Sequence, residues 1–121
     1  NQSIVEKLEL LGLTIKQFDY IYTISKLKKP SLSELAKELN LSRPSITAIT
    51  EKLSQKGYVK KIHSNEDKRS YYVHLTEKGE LVINEHDAIH RIIADAFVKA
   101  LSDNEINELT VLLNKVAHKL Q

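Results

Sequence analysis

Hydrophobic residues recur at intervals of three and four along most of the chain, and this spacing predicts α-helices. Three of the predicted helix starts carry a Ser/Thr-x-x-Glu/Gln capping box, in which two side chains satisfy backbone N–H groups of the first turn. These boxes are Thr14 with Gln17, Ser31 with Glu34, and Ser102 with Glu105. A further helix is expected to begin after Ser42, to carry Pro44 in its first turn and to end at Gly57.

The pattern changes to alternation in the middle of the chain. Tyr71, Val73 and Leu75 alternate with Tyr72 and His74, and the stretch "YVKKI" precedes them across a charged loop, so two strands in a hairpin are expected. A long helix should then run from Thr76 to about Leu101. The last helix carries a heptad pattern formed by Ile106, Leu109, Leu113, Val116 and Leu120. These elements predict a mainly α fold of the α+β type.

Two short helices joined by a brief turn, near residues 32–39 and 42–57, indicate a helix-turn-helix. If Ile46, Ile49 and Leu53 form the buried face of the second helix, the outward residues are Pro44, Ser45, Thr47, Ala48 and Glu51. Short polar side chains of this kind can enter a DNA major groove and contact base edges. An ordinary helical hairpin would show the same two helices, so this pattern leaves both interpretations open.

Charge is distributed unevenly along the 121 residues, although the net charge is only +2. Residues 26–74 carry 11 Lys and Arg against 5 Asp and Glu, whereas the segments on both sides are acidic. A basic middle segment indicates a surface for a polyanion such as DNA.

Composition excludes several other functions. The absence of cysteine excludes disulfides and thiolate metal sites. No apolar run is long enough to span a membrane and no enzyme motif stands out, so we expect a cytoplasmic, non-enzymatic protein without a membrane partner. Because the chain contains no methionine and starts at Asn1, we also expect a trimmed N-terminus.

The stretches "SLSELAKELNLSRPSITAITEKLSQKGYVKKI" and "NEDKRSYYVHLTEKG" closely resemble the MarR family of winged-helix transcriptional regulators. Within them, the wing signature of that family is matched by Asp67, Arg69, Leu75, Thr76 and Gly79. The resemblance implies one MarR-type domain over residues 1–121, with a two-stranded β wing. Residues 14–75 would form the winged helix-turn-helix lobe that binds DNA, and residues 1–13 and 76–121 would supply N- and C-terminal dimerisation helices.

The resemblance also implies roles for single residues. Arg69 would enter the minor groove, and Asp67 would orient it. The outward residues of the second helix would then contact base edges, and these are Pro44, Ser45, Thr47 and Ala48. Phosphates would be contacted by Arg43, Lys52, Lys56, Lys60, Lys61 and Lys68. The implied function is that of a ligand-responsive repressor, a homodimer that binds double-stranded DNA at a pseudo-palindromic operator. The alternative is a different class of function, in which the winged helix binds other proteins.

The effector could be a small molecule or a metal. His86 and His90 lie one helical turn apart, and alignment with zinc-responsive relatives places both on ligand positions. Asp19 falls where those relatives carry a third ligand, so a zinc site formed by Asp19, His86 and His90 is one prediction. A hydrogen-bonded histidine pair in a fatty-acid-responsive regulator is the other.

Overall fold

The computed structural model describes residue 6 and residues 10–66 and 70–120. Within those residues the chain forms five α-helices and one two-stranded sheet, as the mainly α prediction required. In chain order these elements are α1 (Ile15–Leu27), α2 (Leu32–Leu39), α3 (Arg43–Gln55), β1 (Val59–His63), β2 (Tyr71–Leu75), α4 (Glu77–Ala100) and α5 (Asp103–Lys119). None of these helices is both long enough and apolar enough to cross a membrane.

Local capping chemistry sets the starts of the helices. All three predicted capping boxes form, with both reciprocal hydrogen bonds present in each. Ser42 caps α3 by accepting a hydrogen bond from the Ser45 N–H. At the start of α4 the Thr76 hydroxyl accepts from the Gly79 N–H at 3.2 Å and donates to the Gly57 carbonyl at 2.5 Å. Thr76 therefore fastens the start of α4 to the turn that follows α3.

The hairpin of β1 and β2 is antiparallel, with a register that runs from Val59 opposite Leu75 to His63 opposite Tyr71. Its second strand is also tied to the segment before α2. Ser31 forms an isolated bridge with Tyr72, and the Val73 N–H donates to the Pro30 carbonyl at 2.8 Å. The hairpin is thus joined to the helix-turn-helix by backbone hydrogen bonds as well as by chain connection.

The chain divides into two compact units, residues 1–84 and residues 85–121. The core of the first unit is built from α1, α2, α3, the hairpin and the first turns of α4. Its most deeply buried apolar side chains include Tyr20, Ile21, Leu35, Ile46, Leu53 and Val73. Because Val82 and Ile83 are also buried there, this compact unit extends two helical turns beyond the predicted lobe boundary at residue 75.

The second unit contains the remainder of α4 and the whole of α5. Its apolar side chains are largely exposed: Ile92 is 69% exposed, Leu113 57% and Leu120 82%. No residue of α5 is buried. A helix with an apolar stripe along its length normally packs that stripe against another element, so this exposure bears on assembly.

Candidate nucleic-acid interface

Helix α3 separates buried from exposed side chains as the pattern of the sequence predicts. Ile46 and Leu53 are fully buried and Ile49 is partly buried against the same core. The exposed residues between positions 43 and 52 are Arg43, Pro44, Ser45, Thr47, Ala48, Glu51 and Lys52. Pro44 fits the first turn because the N–H that a proline lacks has no partner there in any helix. The N-terminal half of α3 therefore presents short side chains on an open face.

Hydrogen bonds within α3 determine what its hydroxyls can offer to a base edge. The Thr47 hydroxyl donates its proton to the Arg43 carbonyl at 2.9 Å, so toward a ligand it can accept a hydrogen bond and present a methyl group. The Ser45 hydroxyl accepts from the Ser42 hydroxyl at 2.9 Å and keeps its own proton for a ligand. In this arrangement Thr47 suits an amino group of adenine or cytosine, and Ser45 suits an acceptor of guanine or thymine.

The basic residues around α3 fall into two groups. The Arg43 guanidinium donates to the Ser33 hydroxyl at 3.1 Å, which positions it between α2 and α3 with further N–H groups exposed, and Lys52 is exposed on α3. Lys56 differs, because its ammonium group donates to the Gly12 carbonyl and to Gln17 Oε1 at 3.3 Å. The Lys56 ammonium group is therefore bound to acceptors near the start of α1 and is not directed to a phosphate.

Glu51 and Lys61 form a salt bridge of 2.7 Å between α3 and β1. The hydrogen bond to Glu51 raises the pKa of Lys61. This pair accounts for an acidic residue on the otherwise basic open face, since Lys61 compensates its charge. Lys60 is the cross-strand partner of His74 and, by strand alternation, lies on the other face of the hairpin from Lys61. Of the two lysines, only Lys61 is on the side of α3.

The wing signature is described only in part. The Ser64 N–H donates to the Ser70 carbonyl at 2.9 Å and closes the base of the loop between β1 and β2. Asp67, Lys68 and Arg69 lie outside the described residues, so the roles expected for them stay predictions. Gly79, the last member of the signature, has a direct steric reason: a β-carbon at this position would overlap the Tyr58 carbonyl oxygen.

The two candidate metal-binding histidines lie together in the second unit. The rings of His86 and His90 have centroids 4.2 Å apart, and His86 Nδ1 is 3.5 Å from Asp87 Oδ1. Asp19, the third predicted ligand, belongs to the first unit. No group of three or more His, Asp or Glu side chains that could hold a metal ion occurs among the residues that the structure describes.

Comparison with known proteins identifies the family to which this architecture belongs. The model of the MarR family matches residues 13–71. The HTH-type transcriptional regulator BilQ of Clostridioides difficile is 30% identical over 104 residues, which make up 86% of this chain and 70% of BilQ. The chain belongs to the MarR family.

Other similarities of this MarR-family chain agree with that assignment. YkoM of Bacillus subtilis, an uncharacterized HTH-type transcriptional regulator, is 36% identical over 85 residues, or 69% of this chain and 54% of YkoM. The structure of Streptococcus pneumoniae FabT in complex with DNA superposes with a TM-score of 0.79 at 27% identity, over 97% of this chain and 85% of FabT. MarR-family proteins are DNA-binding transcriptional regulators and not enzymes, so the prediction of a winged-helix regulator is confirmed.

Proposed function

We propose that this MarR-family chain acts as an effector-responsive homodimer that represses transcription by binding a pseudo-palindromic operator in double-stranded DNA. The observation that carries the proposal is the open face of α3, where the short side chains of Pro44, Ser45 and Ala48 surround Thr47. On the opposite face, Ile46 and Leu53 are buried in the core. An α-helix with such a face fits the width of a major groove. FabT, whose crystal structure is a complex with DNA, has the same fold.

Contacts to DNA would divide into two kinds. Pro44, Ser45, Thr47 and Ala48 would contact base edges, which carry sequence information. Arg43, Lys52 and Lys68 would contact phosphates, which set affinity without selecting sequence. Arg69, oriented by Asp67, would enter the minor groove next to α3, because a narrow and electronegative groove favours a guanidinium group.

The second unit supports a homodimer. Its exposed apolar residues form stripes on α4 and α5, and Ile92 and Leu113 are both more than half exposed. Contiguous apolar surface of this kind is rare on a soluble monomer and marks an interaction site. A second copy of the chain offers the same stripes, so a two-fold interface would bury both sets. Two copies of α3 could then contact successive major grooves, about 34 Å apart along the duplex.

The nature of the effector divides into two hypotheses. The proximity of His86 and His90, with ring centroids 4.2 Å apart and planes inclined by 39°, would suit two ligands of the predicted zinc site. The same proximity is consistent with a histidine pair in a regulator that responds to a small molecule such as a fatty acid. Calorimetric titration of zinc into chelator-treated protein separates them, since binding that a His86→Ala/His90→Ala variant loses would favour the metal.

Selection of fragments from random duplex DNA, followed by sequencing, tests the main proposal. We expect an enriched motif with two inverted half-sites, bound by the wild-type protein and not by a Thr47→Val/Ser45→Ala variant at the same concentration. Enrichment without any shared motif would contradict sequence-specific binding. Affinity capture of a protein partner in the absence of DNA binding would instead support the interaction-module alternative.

A further inference from the structure

A cleft with a volume of about 430 Å³ opens in the first unit, on the face of the hairpin that carries Lys60 and His74. The residues that line it come from the end of α1, from both strands and from the start of α4. They are Ile24, Ser25, Lys28, Lys29, Lys60, His74, Leu75 and Glu80. Its size lies within the range of small-molecule binding sites. Because Lys61, on the opposite face of the hairpin, pairs with Glu51 of α3, the cleft is separate from the open face of α3.

The charge of the lining selects the kind of ligand. Lys28, Lys29 and Lys60 carry three positive charges, and Glu80 is the one carboxylate among the eight lining residues. With His74 neutral, the lining has a net charge of +2. Burial, together with the charges of Lys29 and Lys60, lowers the pKa of His74, which therefore faces the cleft as a neutral imidazole at neutral pH. The lining thus complements an anion with two negative charges.

The backbone at the end of α1 is unusual. Lys28 and Lys29 adopt positive φ angles of 54° and 55°, a region that favours glycine. The chain therefore carries long cationic side chains at the mouth of the cleft at two successive positions, although this backbone conformation is strained for lysine. Strained residues of this kind cluster at ligand sites. Ser25 adds a hydroxyl donor, while Ile24 and Leu75 provide apolar wall.

We propose that this cleft binds the dianionic phosphate group of a small organic phosphate monoester. The three ammonium groups and the Ser25 hydroxyl would hold the phosphate oxygens. The remaining volume, bounded by Ile24 and Leu75, would contain the organic part of the ligand. This site goes beyond the proposed DNA binding and does not depend on it, because no lining residue belongs to α2 or α3.

Calorimetric titration with glycerol 3-phosphate tests the proposal in the absence of DNA, with inorganic phosphate and glycerol as parallel titrants. We expect glycerol 3-phosphate to bind, inorganic phosphate to bind more weakly because it lacks the organic part, and glycerol not to bind. A Lys28→Gln/Lys60→Gln variant should weaken glycerol 3-phosphate binding about tenfold or more, since each change removes a charge-assisted contact. Both lysines are exposed, so the variant should fold.

Lys61→Gln is the matched control, because Lys61 is adjacent to Lys60 on the same strand and lies on the opposite face. It should leave the affinity for glycerol 3-phosphate within about twofold. Absence of binding to the wild-type protein, or an equal loss in the Lys61→Gln variant, would overturn the site. Equal affinities for inorganic phosphate and glycerol 3-phosphate would contradict the choice of an organic ester. Nuclear magnetic resonance shifts on titration should centre on His74 and Ser25, and shifts centred on α3 would contradict the location.

Discussion

Tyr20 and Thr50 share a hydrogen bond between their hydroxyl groups in the core of the first unit. It joins α1 to α3, the helix that presents the open face. Thr50 also donates to the Ile46 carbonyl within α3 at 2.7 Å, so two polar side chains are satisfied in an apolar core. Burial raises the pKa of Tyr20 to about 12, although the hydrogen bond to Thr50 acts in the opposite direction.

The raised pKa of Tyr20 predicts a loss of stability at high pH. The ordinary pKa of a tyrosine is 10.0, so between pH 10.0 and about 12 the unfolded chain loses the phenol proton while the folded chain retains it. The free energy of unfolding therefore receives its full contribution from this group below pH 10 and falls as the pH rises toward 12. Urea denaturation at a series of pH values measures this.

Tyr20→Phe is the comparison, because phenylalanine keeps the ring and removes the proton. At pH 7 the variant should be less stable by about 1 kcal/mol through loss of one buried hydrogen bond. Above pH 10 the free energy of unfolding of the variant should fall less steeply than that of the wild type. The two stability curves should therefore converge. Parallel curves from pH 9 to pH 11 would show that Tyr20 does not titrate as described.

Gly79→Ala should destabilise the protein by about 1–3 kcal/mol, even though alanine favours helices over glycine by about 1 kcal/mol. The reason is steric: the added β-carbon would overlap the Tyr58 carbonyl oxygen and lie within 3.3 Å of Leu75 Cβ. Denaturant midpoints measure the effect, and Glu77→Ala, at an exposed position in the same turn, is the control. Equal midpoints for wild type and Gly79→Ala would mean that the helix start is free to shift.

Thr47 and Lys52 should respond differently to substitution although both are exposed on α3. Thr47→Val removes the acceptor oxygen and retains the shape, so it should cost about 1–3 kcal/mol on the preferred operator and change which base is favoured at one position. Lys52→Gln should weaken binding to all duplexes alike. Fluorescence anisotropy with the operator and its single-base variants distinguishes them. A uniform loss in both variants would contradict the assignment of base contacts.

Arg69→Ala should lower operator affinity by about 1–3 kcal/mol without changing the thermal midpoint, because the expected role of Arg69 is on DNA. Asp67→Ala should cost less, since it would release the guanidinium without removing it. Arg69→Lys keeps the charge and loses the planar donor group, so it should recover only part of the affinity. Wild-type affinity in a gel-shift titration of Arg69→Ala would refute the wing assignment.

Leu113→Asp should abolish the proposed dimer and operator binding with it. A carboxylate in an apolar interface would lack a partner, and desolvation of that charge costs several kcal/mol. Sedimentation equilibrium measures the mass in solution. Asn114→Asp introduces the same charge at the neighbouring position, outside the heptad pattern, and should leave the dimer intact. A monomeric wild-type protein at micromolar concentration would remove the basis of this prediction.

Features set by short-range chemistry could be predicted from the sequence. The capping box of Ser31 and Glu34 depends on residues three positions apart, and the alternation around Val73 determines which strand residues are buried. Features set by contacts between distant segments could not. The burial of Thr50, the bond from Lys56 to Gly12 and the pairing of Glu51 with Lys61 depend on how the elements pack, and a polar residue alone does not reveal its partner.

The cleft beside Lys60 illustrates the same point for a site. The sequence alone shows a general basic segment that contains Lys28, Lys29 and Lys60. It predicts that Lys60 contacts DNA phosphates together with Lys61. The register of the hairpin separates these two lysines onto opposite faces. Only the folded arrangement shows that one of them lines a cleft while the other pairs with Glu51.

The most direct test of sequence-specific DNA recognition compares a selected operator with a shuffled duplex of equal length. The two duplexes compete for the protein, and fluorescence anisotropy measures binding at several salt concentrations. A regulator that uses α3 for base edges and lysines for phosphates should bind the operator at least about a thousandfold more tightly than the shuffled duplex. Both affinities should fall steeply as salt increases, because phosphate contacts release counterions. Equal affinity for the two duplexes, or binding that salt does not weaken, would contradict sequence-specific DNA recognition by this chain.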